Sequence, residues 1–153
     1  MEISLNTHHS PAFPCELQQA ILALDQEMDH YCWSIKSWQT LFHEQGENYT
    51  LFTLTKEHTL VSMALFFTLA NDKVAHLLKI VTSSKQQGQG HAKRVLTFAM
   101  KQLLYYDFPQ IYLEVGANNS AAISLYQKLH FRTLHRKKSF YSHGEDAVIM
   151  FYP

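Results

Sequence analysis

Cysteine is scarce in this sequence. Cys15 and Cys32 are the two, and no Cys-x-x-Cys occurs. A disulfide framework and a thiolate zinc site are therefore not expected. Long apolar runs are also missing. None approaches the roughly 18–20 residues that span a bilayer, so no membrane partner is expected. The opening Met1-Glu2-Ile3-Ser4 has neither the basic nor the apolar region of a secretory signal, and a cytoplasmic protein is expected. Net charge is zero, from 13 Lys and Arg against 13 Asp and Glu. No direct nucleic-acid binding is expected. The five glycines and four prolines form no linker, repeat or low-complexity tract.

What is present fits one domain over residues 1–153. The chain is 46% apolar and 17% charged, and is long enough to bury a core. Its charge is uneven. Residues 1–60 hold eight acids and two bases, while residues 61–153 hold five and eleven. Such a split can separate an acidic acceptor side from a basic ligand side, or it can be two solvated surfaces. The ten histidines, His76 and His91 among them, are scattered and show no His-Glu-x-x-His spacing. Most of them read as surface residues, and no metal is expected.

Residues 3–5 read as a short strand. A helix over 15–30 carries Leu17, Ala20, Ile21, Leu24 and Met28 at helical spacing. Ser34 is placed to cap a second helix with Trp38, Leu41 and Phe42 on one face, broken at 45–48. Strands follow over 49–55, 60–69 and 74–82, an antiparallel meander. Residues 83–89 form a loop and 90–106 a helix. Residues 111–115 form a buried strand. Asn119 caps a helix through 129, and strands over 132–141 and 146–152 are joined by a turn at 142–145.

The first chemical signal is Gln87-Gly88-Gln89-Gly90-His91-Ala92, between a strand and a helix. N–H groups at a helix start bind phosphate, and glycines let a diphosphate approach the backbone. Lys85, Lys93 and Arg94 add positive charge nearby. The P-loop pattern is absent, and the dinucleotide fingerprint fails because Lys93 stands where its third glycine belongs. The pattern [Gln/Arg]-x-x-Gly-x-[Gly/Ala] matches at Gln87, Gly90 and Ala92.

That loop resembles the pyrophosphate turn of the GNAT superfamily of N-acetyltransferases. The stretch Leu113-Glu114-Val115-Gly116-Ala117-Asn118-Asn119-Ser120-Ala121-Ala122-Ile123-Ser124-Leu125-Tyr126 resembles, more narrowly, the ribosomal-protein-alanine N-acetyltransferases. Their pattern runs Leu-Glu-Val-Arg-x-x-Asn-x-x-Ala-x-x-Leu-Tyr. Cys32-Trp33-Ser34 and the tail from Tyr141 to Met150, with its Glu145-Asp146-Ala147, are similar to the same subfamily. The resemblance implies an α/β fold: a mixed, largely antiparallel seven-stranded sheet, splayed between strands 4 and 5 and flanked by four helices. It implies acetyl-CoA as co-substrate, met by Ile80, Val81 and Thr82 along the pantetheine arm. Gln87, Gly88, Gln89, Gly90, His91, Ala92 and Lys93 would meet the pyrophosphate, and Asn119 is a further contact. It implies Glu114 as proton acceptor and Tyr126 as proton donor. Three positions depart from the pattern: Gly116 replaces an arginine, Ser84 a proline and His130 a glycine.

The chemistry suits these residues. Acetyl transfer needs a neutral amine, and an α-amine with pKa about 8 is easier to deprotonate than a lysine at about 10.4. A carboxylate can take that proton and a phenol can protonate the leaving thiolate. Strand alternation puts Tyr112, Glu114 and Gly116 on one face. Glu114 could instead be a salt-bridged surface group, Tyr126 a core tyrosine, and Asn119 a helix cap alone. Tyr141 borders the turn expected to flank the acceptor. The expected acceptor is the basic N-terminal peptide of a ribosomal protein, steered by Asp25, Glu27, Asp29, Glu44 and Glu47. A small amine, a lysine side chain or a non-catalytic acyl-CoA module are the alternatives.

Overall fold

A computed structural model describes residues 2–43 and 48–153. The elements run β1 (Ile3–His9), α1 (Cys15–Asp25), α2 (Ile35–Phe42), β2 (Tyr49–Lys56), β3 (Thr59–Thr68), β4 (Val74–Thr82), α3 (His91–Tyr105), β5 (Gln110–Gly116), α4 (Ser120–Lys128), β6 (Arg132–Lys137) and β7 (Ala147–Tyr152). The strands make one sheet in the order β1-β2-β3-β4-β5-β7-β6. Every pairing is antiparallel except β4 with β5. The fold is therefore the expected mixed α/β sheet with four helices.

Each face of the sheet has its own core. On one side α3 and α4 set Val95, Leu96, Ala99, Leu103 and Tyr126 against Phe52, Phe66, Leu113 and Met150. On the other, α1 and α2 set Ile21, Leu24, Trp38, Leu41 and Phe42 against Leu51, Met63 and Leu65. Helix α2 starts where expected, with Ser34 Oγ accepting the Ser37 N–H at 3.1 Å. The outer strand β6 is exposed along its length. Its Arg132, Arg136 and Lys137 keep that edge charged, which discourages pairing with other chains.

The site is made by a failure of pairing in mid-sheet. β4 and β5 pair from Val74 with Gln110 to Leu77 with Leu113 and then part. β4 continues against β3 as far as Thr82, and β5 against β7 as far as Gly116. The parting coincides with a bulge. Phe66 pairs with Leu77 and Leu65 with Lys79, leaving Leu78 as an extra residue in β4. One extra residue reverses which side chains face which core. Ala75 and Leu77 join the α3/α4 core, whereas Val81 joins the α1/α2 core.

Three boundaries differ from the sequence reading. β1 runs on to His9. Helix α1 stops at Asp25 rather than at 30, tightening into a 3₁₀ segment, Gln26–Tyr31, that is broken at Asp29 with φ 55°. The cause is the Asp25 carboxylate. Its Oδ2 accepts the Trp33 N–H at 2.8 Å and the Trp38 indole N–H at 2.7 Å, which folds the chain back. Strand β6 stops at Lys137 rather than at 141. Asp146 draws the turn in by accepting from the Ser139 N–H at 2.9 Å and Arg136 Nε at 2.8 Å. Residues 44–47, which include two of the expected steering acids and all of the expected break but Asn48, lie outside the described residues.

Candidate active site

Where β4 and β5 part, a cavity of about 260 Å³ opens. Leu77 to Ile80 line it from β4, and Glu114 to Gly116 from β5. Asn119, Ala122 and Tyr126 line it from α4, and Tyr31, Trp33 and Tyr141 close its front. Glu114 and Tyr126, expected as an acid–base pair, thus face one space from two different elements.

Glu114 is held by neighbours on the sheet. His76, from β4, places Nε2 2.6 Å from Glu114 Oε2, and its ring stacks on Tyr112 at 4.1 Å. Burial favours the neutral acid. The hydrogen bond and charge of His76, a hydrogen bond from Tyr112 and the charge of Lys137 outweigh it. The carboxyl group is left below its usual range and ionised at neutral pH. Tyr126 is 4% exposed and packs against Phe131, with ring centroids 5.6 Å apart. Burial, with the charge of Tyr141 adding to it, pushes its phenol well up, so it keeps its proton. Tyr141 is raised to about 12, by burial first and then by Glu114 and Glu145. The site therefore holds an ionised carboxylate and neutral phenols.

The loop after β4 has the geometry its glycines suggest. Gly88 and Gly90 have φ of 76° and 80°, which only glycine adopts without strain, and a Cβ at either would meet nothing within 4 Å. Gly90 precedes α3, and no side chain among the described residues caps that helix start. Bare N–H groups facing open space fit a diphosphate. Gln89, Lys93 and Arg94 are exposed beside it and Ala92 is half-buried. Gln87 turns back, its Nε2 lying 3.4 Å from the Thr82 carbonyl. His91 is not a surface residue as the sequence suggested. It is 5% exposed, neither ring nitrogen has a partner among the described residues, and burial lowers its pKa. Its neutral ring packs inward because the first turn of α3 points it at the core, so only its backbone can serve a phosphate.

Ile80, Val81 and Thr82 lie beyond the last β4–β5 pair, so the edge they turn toward β5 is open to an extended ligand. Asn119 caps α4, its Oδ1 accepting the Ala122 N–H at 3.2 Å, and it also lines the cavity. Helix α4 ends with His130 at φ 70° where the subfamily pattern has glycine. Phe131 N–H bonds the Tyr126 carbonyl and His130 N–H the Gln127 carbonyl, both at 3.0 Å, so the turn keeps a glycine-type close.

Several residues at the site escape sequence reasoning. Lys79 is buried with its ammonium 2.8 Å from Asp25 Oδ1, 2.6 Å from the Tyr31 carbonyl and 5.0 Å over the Trp33 ring. Burial lowers its pKa against the pull of Asp25. Asp25 is thus an interior partner of Lys79, not a steering charge in an open groove. Glu27 accepts the Ser84 N–H at 2.6 Å, a bond that a proline at 84 could not make. A lone lysine in the apolar run 74–82 was the one available sign of a buried pair. Among the described residues no three His, Cys, Asp or Glu side chains gather as a metal site would require. No helix among them is long and apolar enough to cross a membrane.

Comparison with known proteins agrees with this geometry. A family model described as the acetyltransferase (GNAT) family matches residues 15–131. The [ribosomal protein bS18]-alanine N-acetyltransferase of Haemophilus ducreyi is 30% identical over 115 residues, covering 72% of this chain and 78% of that protein. Its Escherichia coli counterpart is 29% identical over 133 residues, covering 85% and 86%. The crystal structure of the ribosomal-protein-S18-alanine N-acetyltransferase from Escherichia coli matches with a TM-score of 0.85 at 26% identity, over 99% of this chain and 94% of that one. With a family match over most of its length and a sheet that parts between its fourth and fifth strands, this chain belongs to the acetyltransferase (GNAT) family.

Proposed function

We propose that residues 1–153 act as one domain that acetylates the N-terminal α-amine of a ribosomal protein, an alanine terminus of a small-subunit protein, in the cytoplasm. Acetyltransferases of this family use acetyl-CoA. In this reading Gln87 to Lys93 hold its pyrophosphate, Ile80 to Thr82 and Asn119 its remaining length, and the thioester supplies the acetyl group. The observation that carries the acid–base assignment is that Glu114, from β5, and Tyr126, from α4, line one cavity where β4 and β5 part. Glu114 is kept ionised and Tyr126 protonated, as a base and an acid must be before turnover. Glu114 takes the proton from the amine, directly or through one water, and Tyr126 returns one to the leaving thiolate. His76 and Tyr112 hold the Glu114 carboxylate in place on the sheet.

The test uses peptides with free and blocked N-termini. Turnover that survives blocking removes the α-amine assignment and leaves a lysine or small-amine acceptor. Glu114→Gln should lower kcat roughly 10²-fold while acetyl-CoA still binds. Raising pH should partly restore it, because more of the amine is already neutral. Tyr126→Phe should also slow turnover, without that recovery. Near-normal rates in both variants would place proton transfer elsewhere.

A further inference from the structure

Gly116 stands where the resembling subfamily carries arginine, and the space is filled from two distant segments. A Cβ on Gly116 would collide with the Glu145 carboxylate and lie 2.5 Å from the Tyr31 hydroxyl. That hydroxyl donates to Glu145 Oε1 at 2.5 Å. Glu145 Oε2 accepts the Asn118 N–H at 3.0 Å, and His143 Nε2 lies 3.0 Å from Oε1. The Tyr31 ring meets Tyr141 edge-on at 5.3 Å, and its own carbonyl is tied to Lys79. Tyr31 is thus fixed at both ends, by β4 behind and by the β6–β7 turn in front.

This fixed ring lines the same cavity as Glu114 and Gly116. At about 260 Å³ the cavity falls below the range of about 300–1,000 Å³ usual for small-molecule sites. Glu114 and Gly116 share a face of β5, two residues and so about 7 Å apart. Gly116 and whatever covers it therefore lie within reach of the first side chain of an acceptor whose amine is held at Glu114.

We propose that Tyr31, locked to Glu145 across Gly116, is the specificity-determining wall that restricts the acceptor's first residue to alanine-like size. This rests on the α-amine reading above. The departure at 116 and the tyrosine at 31 then form one device: the missing side chain admits the wall.

The experiment compares kcat/KM for two peptides that differ only in an alanyl or leucyl first residue, with acetyl-CoA affinity measured alongside. The wild-type protein should favour the alanyl peptide at least tenfold. Tyr31→Ala should shrink that ratio at least tenfold, chiefly by raising leucyl turnover, with acetyl-CoA affinity unchanged. Glu145→Ala, which frees the ring without deleting it, should shrink the ratio less, and it replaces Tyr31→Ala should that variant not fold. An unchanged ratio in a variant that still binds acetyl-CoA overturns the wall and leaves the α-amine reading standing. Equal wild-type rates on both peptides also overturn it. If the wild-type protein acetylates neither peptide, the α-amine reading is lost and the wall falls with it.

Discussion

The loop of residues 83–92 and the front segment of residues 25–33 are tied to the same split in the sheet, and they are built in opposite ways. The loop is anchored at its start by the Val61 carbonyl, which accepts the Ser83 N–H at 2.8 Å, and by Glu27 at Ser84, and is shaped locally after that. Gln86 N–H bonds the Ser83 carbonyl at 2.8 Å, two glycines take positive φ, and α3 begins with uncapped amides. The front segment is latched by distant partners. Tyr31 reaches Lys79 across 48 residues and Glu145 across 114, and Glu27 reaches Ser84 across 57. One region is left open, with donors facing outward. The other is filled, with its polar groups paired inward. That is the arrangement expected if the first receives a charged ligand and the second limits what can enter beside it.

The largest test of this contrast is Lys79→Met. It removes the cation that ties the front segment to β4 and leaves Asp25, itself fully buried, without its counter-charge. Breaking such a pair costs about 3–5 kcal/mol, to be read from the denaturation midpoint. A cost below about 1 kcal/mol would mean that the Lys79 tie does not hold the front segment in place. Next is Gly90→Asp, which puts a negative charge and a strained φ into the open loop. Acetyl-CoA affinity should fall tenfold or more by calorimetry, about 1.4 kcal/mol. The alanyl-to-leucyl preference set across the cavity should not move.

A smaller effect tests the link between the two regions. Ser83 already has φ −49° and ψ 135°, the conformation preferred before proline, so Ser84→Pro should fit the backbone. What it removes is the N–H that Glu27 accepts. Ser84→Pro and Glu27→Ala should therefore be non-additive by about 1 kcal/mol in a double-mutant cycle of unfolding free energies. Additive costs would show that the bond contributes nothing. The smallest effect belongs to neither region. His130 sits at φ 70°, and His130→Gly should raise stability by about 0.5 kcal/mol in thermal unfolding, with turnover and acetyl-CoA affinity untouched.

What could be read from the sequence follows the same division. The glycine loop, the long α3, the Asn119 cap and the one-face placement of Tyr112 and Glu114 depend on residues close in the chain, and the structure has them where periodicity and motif put them. The end of α1 was misplaced because Asp25 finds its partners at Trp33, Trp38 and Lys79. His76 read as a surface histidine because its partner lies on a strand 38 residues away, reached only once β4 and β5 pair in parallel. The Leu78 bulge left no trace, since an apolar run reads the same with or without one extra residue. Gly116, Ser84 and His130 were visible as departures, but only the folded chain pairs the first with Tyr31 and Glu145 and the second with Glu27.

The parting of β4 from β5 also bears on solubility. An unpaired strand edge is ordinarily a template for another chain, and an outer edge such as β6 carries arginine and lysine to discourage it. Beyond Leu77 and Leu113 the two inner edges of this sheet are unpaired as well, yet they face each other within the molecule. Strands in a sheet lie about 4.8 Å apart, so a cleft between diverging strands admits one slender extended chain and no neighbouring sheet. The protein thus keeps a stretch of free backbone donors and acceptors without offering a surface on which copies of itself could aggregate.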